Sequence, residues 1–220
     1  VSEAHSHQST LVIFPELAFC GYPPRDLLAL PSLMTRQNRA IEQLAKNAGN
    51  LTIVAGCVAL RSGAFGPPMH NSAVIIQPGQ QLVFYHKRLL PTYDVFDESR
   101  YFEPGTQPLI LTVQGSRLGV TICEDIWNPN GLNYGQNPLG DYRHQNLSAI
   151  INLSSSPFHI GRPQERTALL QSVAKSLGCS VIYCNQVGGN DELIFDGASQ
   201  VVGRNGNVLF RAAAFEEAPA

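Results

Sequence analysis

The sequence predicts an α/β (α+β) fold of packed sheets with helices outside, and three observations carry that prediction. Ten short runs rich in Val and Ile recur along the 220 residues, each bounded by Gly, Pro, Asn or Ser, as buried strands are. Only two segments have helical periodicity, and each is apolar on one side, which asks for a sheet to lie on. No internal repeat, low-complexity tract or composition break interrupts the chain, so it reads as one large domain.

The first strand is "TLVIF" (10–14). A helix is predicted over 32–48, where Ile41, Leu44, Ala45 and Ala48 repeat at i, i+3, i+4 and i+7, with Ser32 as N-cap and Gly49 just past the end. "LTIVAGCVAL" (51–60), "NSAVII" (71–76) and "QLVFYH" (81–86) follow, the last two joined by the turn signal "QPGQQ" (77–81). Then come "LILTV" (109–113), "RLGVTIC" (117–123) and "LSAIINLS" (147–154). The second helix is predicted over 163–177, with Pro163 in the first turn, Leu169, Leu170, Val173 and Leu177 as the stripe, and Gly178 as the stop. "CSVIYCN" (179–185), "SQVVG" (199–203) and "NVLFR" (207–211) close the series, the last pair hinged at "RNGN" (204–207).

Composition narrows the function classes. Fifteen basic and seventeen acidic residues give a net charge of −2 without a basic stripe, which argues against nucleic-acid binding. No apolar run approaches the roughly 20 residues of a membrane span, and "VSEAHSHQST" has neither part of a secretory signal. Five cysteines (Cys20, Cys57, Cys123, Cys179, Cys184) form no CxxC pair, and the six histidines show no metal-ligand spacing. A reducing, cytoplasmic setting with no metal is the expectation.

Three segments can carry chemistry. In "RLGVTICEDIWNP" (117–129) an apolar strand runs to Cys123 and turns abruptly polar. A nucleophile there is held rigidly beside the N–H groups of the next turn, which can hold an oxyanion. By residue type alone, a buried core cysteine is the commoner case. In "TLVIFPELAFCGYPPRD" (10–26) the first charge after the strand is Glu16, among apolar neighbours that raise the affinity of a carboxylate for protons, as a general base needs. A cap at the strand end is the equal alternative. Lys87 leaves the strand of "FYHKRLLPTYDVFDESRYFEPG" (84–105), where it could stabilise negative charge or, beside Arg88, simply face water.

Together these blocks resemble the nitrilase (carbon–nitrogen hydrolase) superfamily, whose Glu–Lys–Cys triad stands at strand ends: "FPELAFCGYPPRDLL", "HKRLLPTYDVFDESRYFEPG" and "GVTICEDIWNP" occur in the family's order. "INLSSSPFHIGRPQER" (151–166) and "YCNQVGGNDELIFDGAS" (183–199) extend the resemblance to the glutaminase domains of glutamine-dependent NAD synthetases, over about residues 4 to 211. It implies a four-layer α-β-β-α nitrilase-type sandwich. It also implies Cys123 as nucleophile, Glu16 as general base and Lys87 as oxyanion stabiliser. Glu98 would orient the lysine or substrate, and the Glu124 N–H would be a second oxyanion donor. Tyr93, Ser156 and Arg162 would hold glutamine, Arg162 having the added rationale that a guanidinium fork suits an α-carboxylate. Tyr22 and Trp127 are further candidates, equally readable as wall packing.

The resemblance also implies a homo-oligomer and a partner domain. Ammonia would pass to an ATP-dependent synthetase (ATP-pyrophosphatase) domain, using ATP and Mg, that amidates nicotinic acid adenine dinucleotide to NAD. The glutaminase half needs no cofactor. The "SGGxDS" loop of that partner does not occur in the chain. The reading is thus a glutaminase domain over 1–211, lacking the family's first strand and keeping the tail of its first helix in 1–9. Residues 212–220 are read as the start of an inter-domain linker. The alternatives are a stand-alone amidase of the superfamily acting on another small amide, and a catalytically silent scaffolding domain.

Overall fold

The structure is a computed structural model that describes residues 1–61, 68–128 and 134–217. The chain forms two compact units, residues 1–107 and 108–220.

The first unit holds strands β1 (Leu11–Ile13), β2 (Thr52–Leu60), β3 (Met69–Ile76) and β4 (Val83–His86), in the order β1-β2-β3-β4. β1 runs parallel to β2, and a parallel pair needs a crossover connection, supplied here by helix α2 (Pro31–Asn47). β2, β3 and β4 are antiparallel neighbours, so the turn at 77–81 makes the expected hairpin. A short helix α1 (Ser2–Ser6) precedes β1. The apolar stripe of α2 lies on the sheet: Ile41, Leu44 and Ala45 pack with Ile53, Ala55, Cys57, Val74 and Ile76. Each Ile or Val of this set fully removed from water contributes about 1.5–3 kcal/mol.

One helix boundary departs from the sequence expectation. Pro31, with its fixed φ and no N–H to satisfy, takes the first turn, and Leu30 stands at the cap without a side-chain bond, so Ser32 is not the N-cap.

The second unit holds β5 (Leu109–Val113), β6 (Ser116–Ile122), β7 (Ala149–Ser154), β8 (Ser180–Asn185), β9 (Val187–Asn190), β10 (Leu193–Asp196), β11 (Gln200–Val202) and β12 (Val208–Arg211). Six of them form one sheet in the order β12-β11-β8-β7-β6-β5. β6, β7 and β8 run parallel at its centre, while β5, β11 and β12 are antiparallel. Helix α3 (Arg162–Leu177) ends where Gly178 adopts the left-handed conformation, and its Leu170, Val173 and Ala174 pack with Ile150, Val181, Tyr183 and Val202. β9 and β10 pair as a separate hairpin around Asp191 and Glu192, which the sequence did not announce. Gly188 and Gly189 dilute its strand signal. Each unit thus lays a helix on a sheet, and together they realise the mixed α/β class predicted. Of the segment expected as a linker, Ala214 bridges to Gly197 and the Phe215 N–H bonds the Asp196 carbonyl; residues 218–220 lie outside those described, as does Pro129.

Candidate active site

Parallel strands deliver the side chains that follow them to one sheet edge, which is where α/β folds usually place chemistry. The candidate residues fall into two groups, one in each unit.

In the first unit, the Phe14 N–H still bonds Val54 O, and Pro15, which has no N–H to give, adds only its carbonyl, which accepts from the Gly56 N–H at 3.1 Å. The chain then doubles back, with Leu17 at φ 48° and the N–H groups of Cys20 and Gly21 both on Leu17 O. This turn lies flat against β2 because residue 56 is Gly: a Cβ there would overlap the backbone of Pro15, Glu16 and Leu17. Glu16 is thereby buried to 1% exposure.

Lys87 follows β4, its N–H on Asn71 O and its carbonyl accepting from Gly105 N–H, each at 2.8 Å. The sequence left a solvated lysine open; the structure buries it to 1% exposure. Its Nζ donates to Glu16 Oε1 at 2.7 Å and to Glu98 Oε1 at 2.6 Å. Glu98 begins a short 3-10 turn, anchored through its N–H to Pro91 O. The Tyr22 hydroxyl donates to Glu98 Oε1 at 2.8 Å. Asn71 in β3, which the sequence did not flag, donates from Nδ2 to Glu16 Oε1 at 2.8 Å and to Glu98 Oε2 at 3.3 Å.

One ammonium thus serves two buried carboxylates. Burial pushes Glu98 up to about 7; Lys87 opposes the shift and Glu16 adds to it. Tyr93 is half exposed, edge-on to Phe96 with ring centroids 5.5 Å apart.

In the second unit, β6 is buried from Leu118 onward, and Cys123 opens a one-turn 3-10 helix, Cys123–Ile126, at φ 38°. A positive φ on a non-Gly residue is strained by roughly 1–3 kcal/mol and collects at functional sites. The turn is pinned from both sides. Asp125 Oδ2 accepts the Ile122 N–H at 2.9 Å, and Asn152 Nδ2 reaches Cys123 O at 3.5 Å. Cys123 itself is 8% exposed. Glu124 is buried, its carboxylate accepting from the Tyr134 hydroxyl at 2.8 Å.

Ser156, beyond the end of β7, gives its N–H to Asn185 Oδ1 at 2.9 Å, at the end of β8. Arg162 begins α3 and lies over the Trp127 ring, 3.9 Å from its centroid, with Nε 3.4 Å from Ser156 Oγ. Ser156, Arg162 and Trp127 are thus brought together. Beneath them is a pair that the sequence did not reveal. Arg166, fully buried, meets Asp196 at 3.1 and 3.0 Å and reaches Ser156 O at 3.4 Å. Burial works against the charge on Arg166, but Tyr183, Asp196 and Cys123 outweigh it and hold the guanidinium protonated. The other four cysteines are ordinary: burial pushes Cys20 and Cys184 up to about 12 and raises Cys57 and Cys179 too.

Among the described residues no group of three or more His, Cys, Asp or Glu could hold a metal ion, and no helix is long and apolar enough to cross a membrane. Two clefts, of about 280 and 240 Å³, lie at the 77–80 turn and on α3, and include no candidate side chain.

Residues 1–218 match the family described as carbon–nitrogen hydrolase. The chain is 41% identical to a glutamine-dependent NAD(+) synthetase of Synechocystis sp., over 98% of this chain and 40% of that protein. It is 39% identical to the one of Acinetobacter baylyi, over 98% and 38%. The chain thus spans about two fifths of the length of these relatives. Among solved structures, a glutamine-dependent NAD+ synthetase from Acinetobacter baumannii in complex with ADP superposes with a TM-score of 0.89 at 39% identity, covering 99% of this chain and 39% of that one. An amidase of the nitrilase superfamily from Nesterenkonia shares the fold, with a TM-score of 0.79 at 22% identity, over 96% of this chain and 76% of that one.

Proposed function

The chain belongs to the carbon–nitrogen hydrolase family, and on that premise we propose that it hydrolyses the side-chain amide of glutamine. The observations that carry the chemistry are the buried Lys87 held between Glu16 and Glu98 in the first unit and, in the second, a cysteine set on its own strained turn. The choice of glutamine rests on the likeness to glutamine-dependent NAD synthetases over 98% of the chain.

In this reading Glu16 takes the thiol proton of Cys123, and the sulfur attacks the amide carbon. Lys87 Nζ and the Glu124 N–H stabilise the oxyanion. Glu16 returns the proton to the nitrogen, the C–N bond breaks, and ammonia leaves a glutamyl thioester on Cys123. Water then gives a proton to Glu16 and attacks the thioester. Glutamate departs, and the proton passes back to the sulfur. Two acyl transfers replace one difficult amide cleavage. Glu98 keeps Lys87 in place. Arg162, Ser156 and Tyr93 hold the substrate's amino-acid end, with Tyr22 and Trp127 as walls.

The ammonia is consumed by an ATP- and Mg-dependent synthetase domain that makes NAD, and the protein works as a homo-oligomer in the cytoplasm. The free cysteines suit that compartment. The direct test is release of glutamate and ammonia from glutamine by the purified chain, against a panel of other small amides. Cys123→Ser should abolish release, and a thioester on Cys123 should be trapped by mass spectrometry. Turnover of another amide in preference to glutamine, or activity surviving in Cys123→Ser, would refute the proposal.

A further inference from the structure

Asn71 lies in the middle of the acid–base network, and no part of the mechanism above uses it. Its Nδ2 donates one hydrogen to Glu16 Oε1 at 2.8 Å and the other to Glu98 Oε2 at 3.3 Å. The orientation of the amide is fixed by chemistry. A flipped side chain would set Oδ1 against two carboxylate oxygens, acceptor against acceptor. As it stands, Oδ1 is buried with no hydrogen-bond partner among the described residues. An unsatisfied buried acceptor costs free energy, and two hydrogen bonds to carboxylates offset it. The backbone of Asn71 is committed as well, since its carbonyl accepts the Lys87 N–H. One residue therefore touches all three members of the cluster.

We infer that Asn71 is the positioning residue of this network: by bridging Glu16 and Glu98 it keeps both carboxylates aimed at Lys87 and stabilises negative charge on them. Two buried carboxylates with a single cation between them cannot both ionise freely. The groups facing Glu98 are Lys87, Glu16 and Tyr22, from the strand exit, the turn after β1 and the loop beyond it. Lys87 donates to Glu16 and Glu98 alike, at 2.7 and 2.6 Å, so it does not distinguish them. Asn71 does: its shorter bond goes to Glu16, the base of the reading on which this inference rests. Removing it loosens both carboxylates and takes from Glu98 a donor that favours its ionised form.

The test reads the carboxyl groups themselves in the whole chain. The protein is labelled with 13C at the glutamate carboxyls and titrated by NMR, with Glu98→Gln identifying the Glu98 signal. Asn71→Ser removes the bridge, and Asn71→Asp, isosteric and neutral at low pH, replaces it with a third carboxylate. The expected result is a Glu98 midpoint that rises by about one unit in Asn71→Ser and further in Asn71→Asp. The acid limb of kcat/KM should move with it. A structural residue would lower stability without moving a midpoint, so unmoved midpoints in either folded variant overturn the inference. Glutamine hydrolysis with unmoved midpoints defeats this inference alone. Moved midpoints in a chain inert toward glutamine defeat the functional reading and leave the role of Asn71 standing.

Discussion

The Nζ of Lys87 stands 2.7 Å from Oε1 of Glu16, and both side chains are shut off from solvent. Such a pair is costly to form and costlier to break, because removing one partner strands the other charge. Lys87→Met should destabilise the chain by about 3–5 kcal/mol at neutral pH. Protonating the stranded carboxylates removes the penalty, so the deficit should shrink as pH falls. Urea unfolding at pH 5 and pH 8 checks this; a deficit of equal size at both would mean that the ion pair is not its source.

Gly56 sets the position of Glu16 without touching its carboxylate. Gly56→Ala puts a methyl group into the backbone of Pro15–Leu17, which must shift. Overpacking of this kind costs about 1–3 kcal/mol, and a misplaced catalytic group costs up to about a hundredfold in rate. The expected outcome is a fall in kcat for glutamine, with slower alkylation of Cys123 by iodoacetamide because its base is misplaced, and an unchanged far-UV circular dichroism spectrum. Loss of the folded spectrum would point to general unfolding instead.

Two groups pull stability in opposite directions over one pH window. Glu98, raised from 4.5 to about 7, keeps a proton that the unfolded chain releases. Its contribution is complete below pH 4.5 and is lost as pH rises toward 7. His86 is lowered from 6.5 to about 4 by burial and by neighbouring His70, so it stays neutral where the unfolded chain is charged. Its contribution is complete above pH 6.5 and is lost as pH falls toward 4. Across the overlap the two offset each other. Relative to the parent, the unfolding midpoint of Glu98→Gln should rise with pH between 4.5 and 6.5, and that of His86→Gln should fall. Parallel profiles for the parent and both variants would contradict these assignments.

Arg166 and Asp196 make the second buried pair. Arg166→Met leaves the Asp196 carboxylate uncompensated and takes a donor from Ser156, so a loss of about 3–5 kcal/mol is expected. Arg166→Met combined with Asp196→Leu should recover most of it, since no charge is then stranded. Chemical denaturation of the two variants decides the matter, and no recovery in the double variant would assign the loss to packing.

What could be read from the sequence was whatever one stretch of chain announces by itself. Cys123, Glu16 and Lys87 each mark a place where an apolar strand gives way to charge, and the two long helices have clear stripes. Partnership was harder, because it joins residues far apart in the chain. Lys87 looked like a surface lysine until Glu16, 71 positions earlier, was seen to hold it. Asn71 looked like one more residue of "NSAVII", and Arg166 like the polar side of α3, while its partner waits 30 positions on. A period reports which face is buried, and it does not report which rare charge is buried with it. The β9–β10 hairpin was silent for a simpler reason: two of its four first-strand residues are Gly.

The stack of Arg162 on Trp127 has an optical consequence. Trp127 is the only tryptophan in the chain, so all tryptophan fluorescence originates from this one ring. A guanidinium 3.9 Å from its centroid perturbs the excited state, and any molecule that draws Arg162 toward itself changes the emission. The protein therefore carries an intrinsic, label-free reporter of occupancy at this spot.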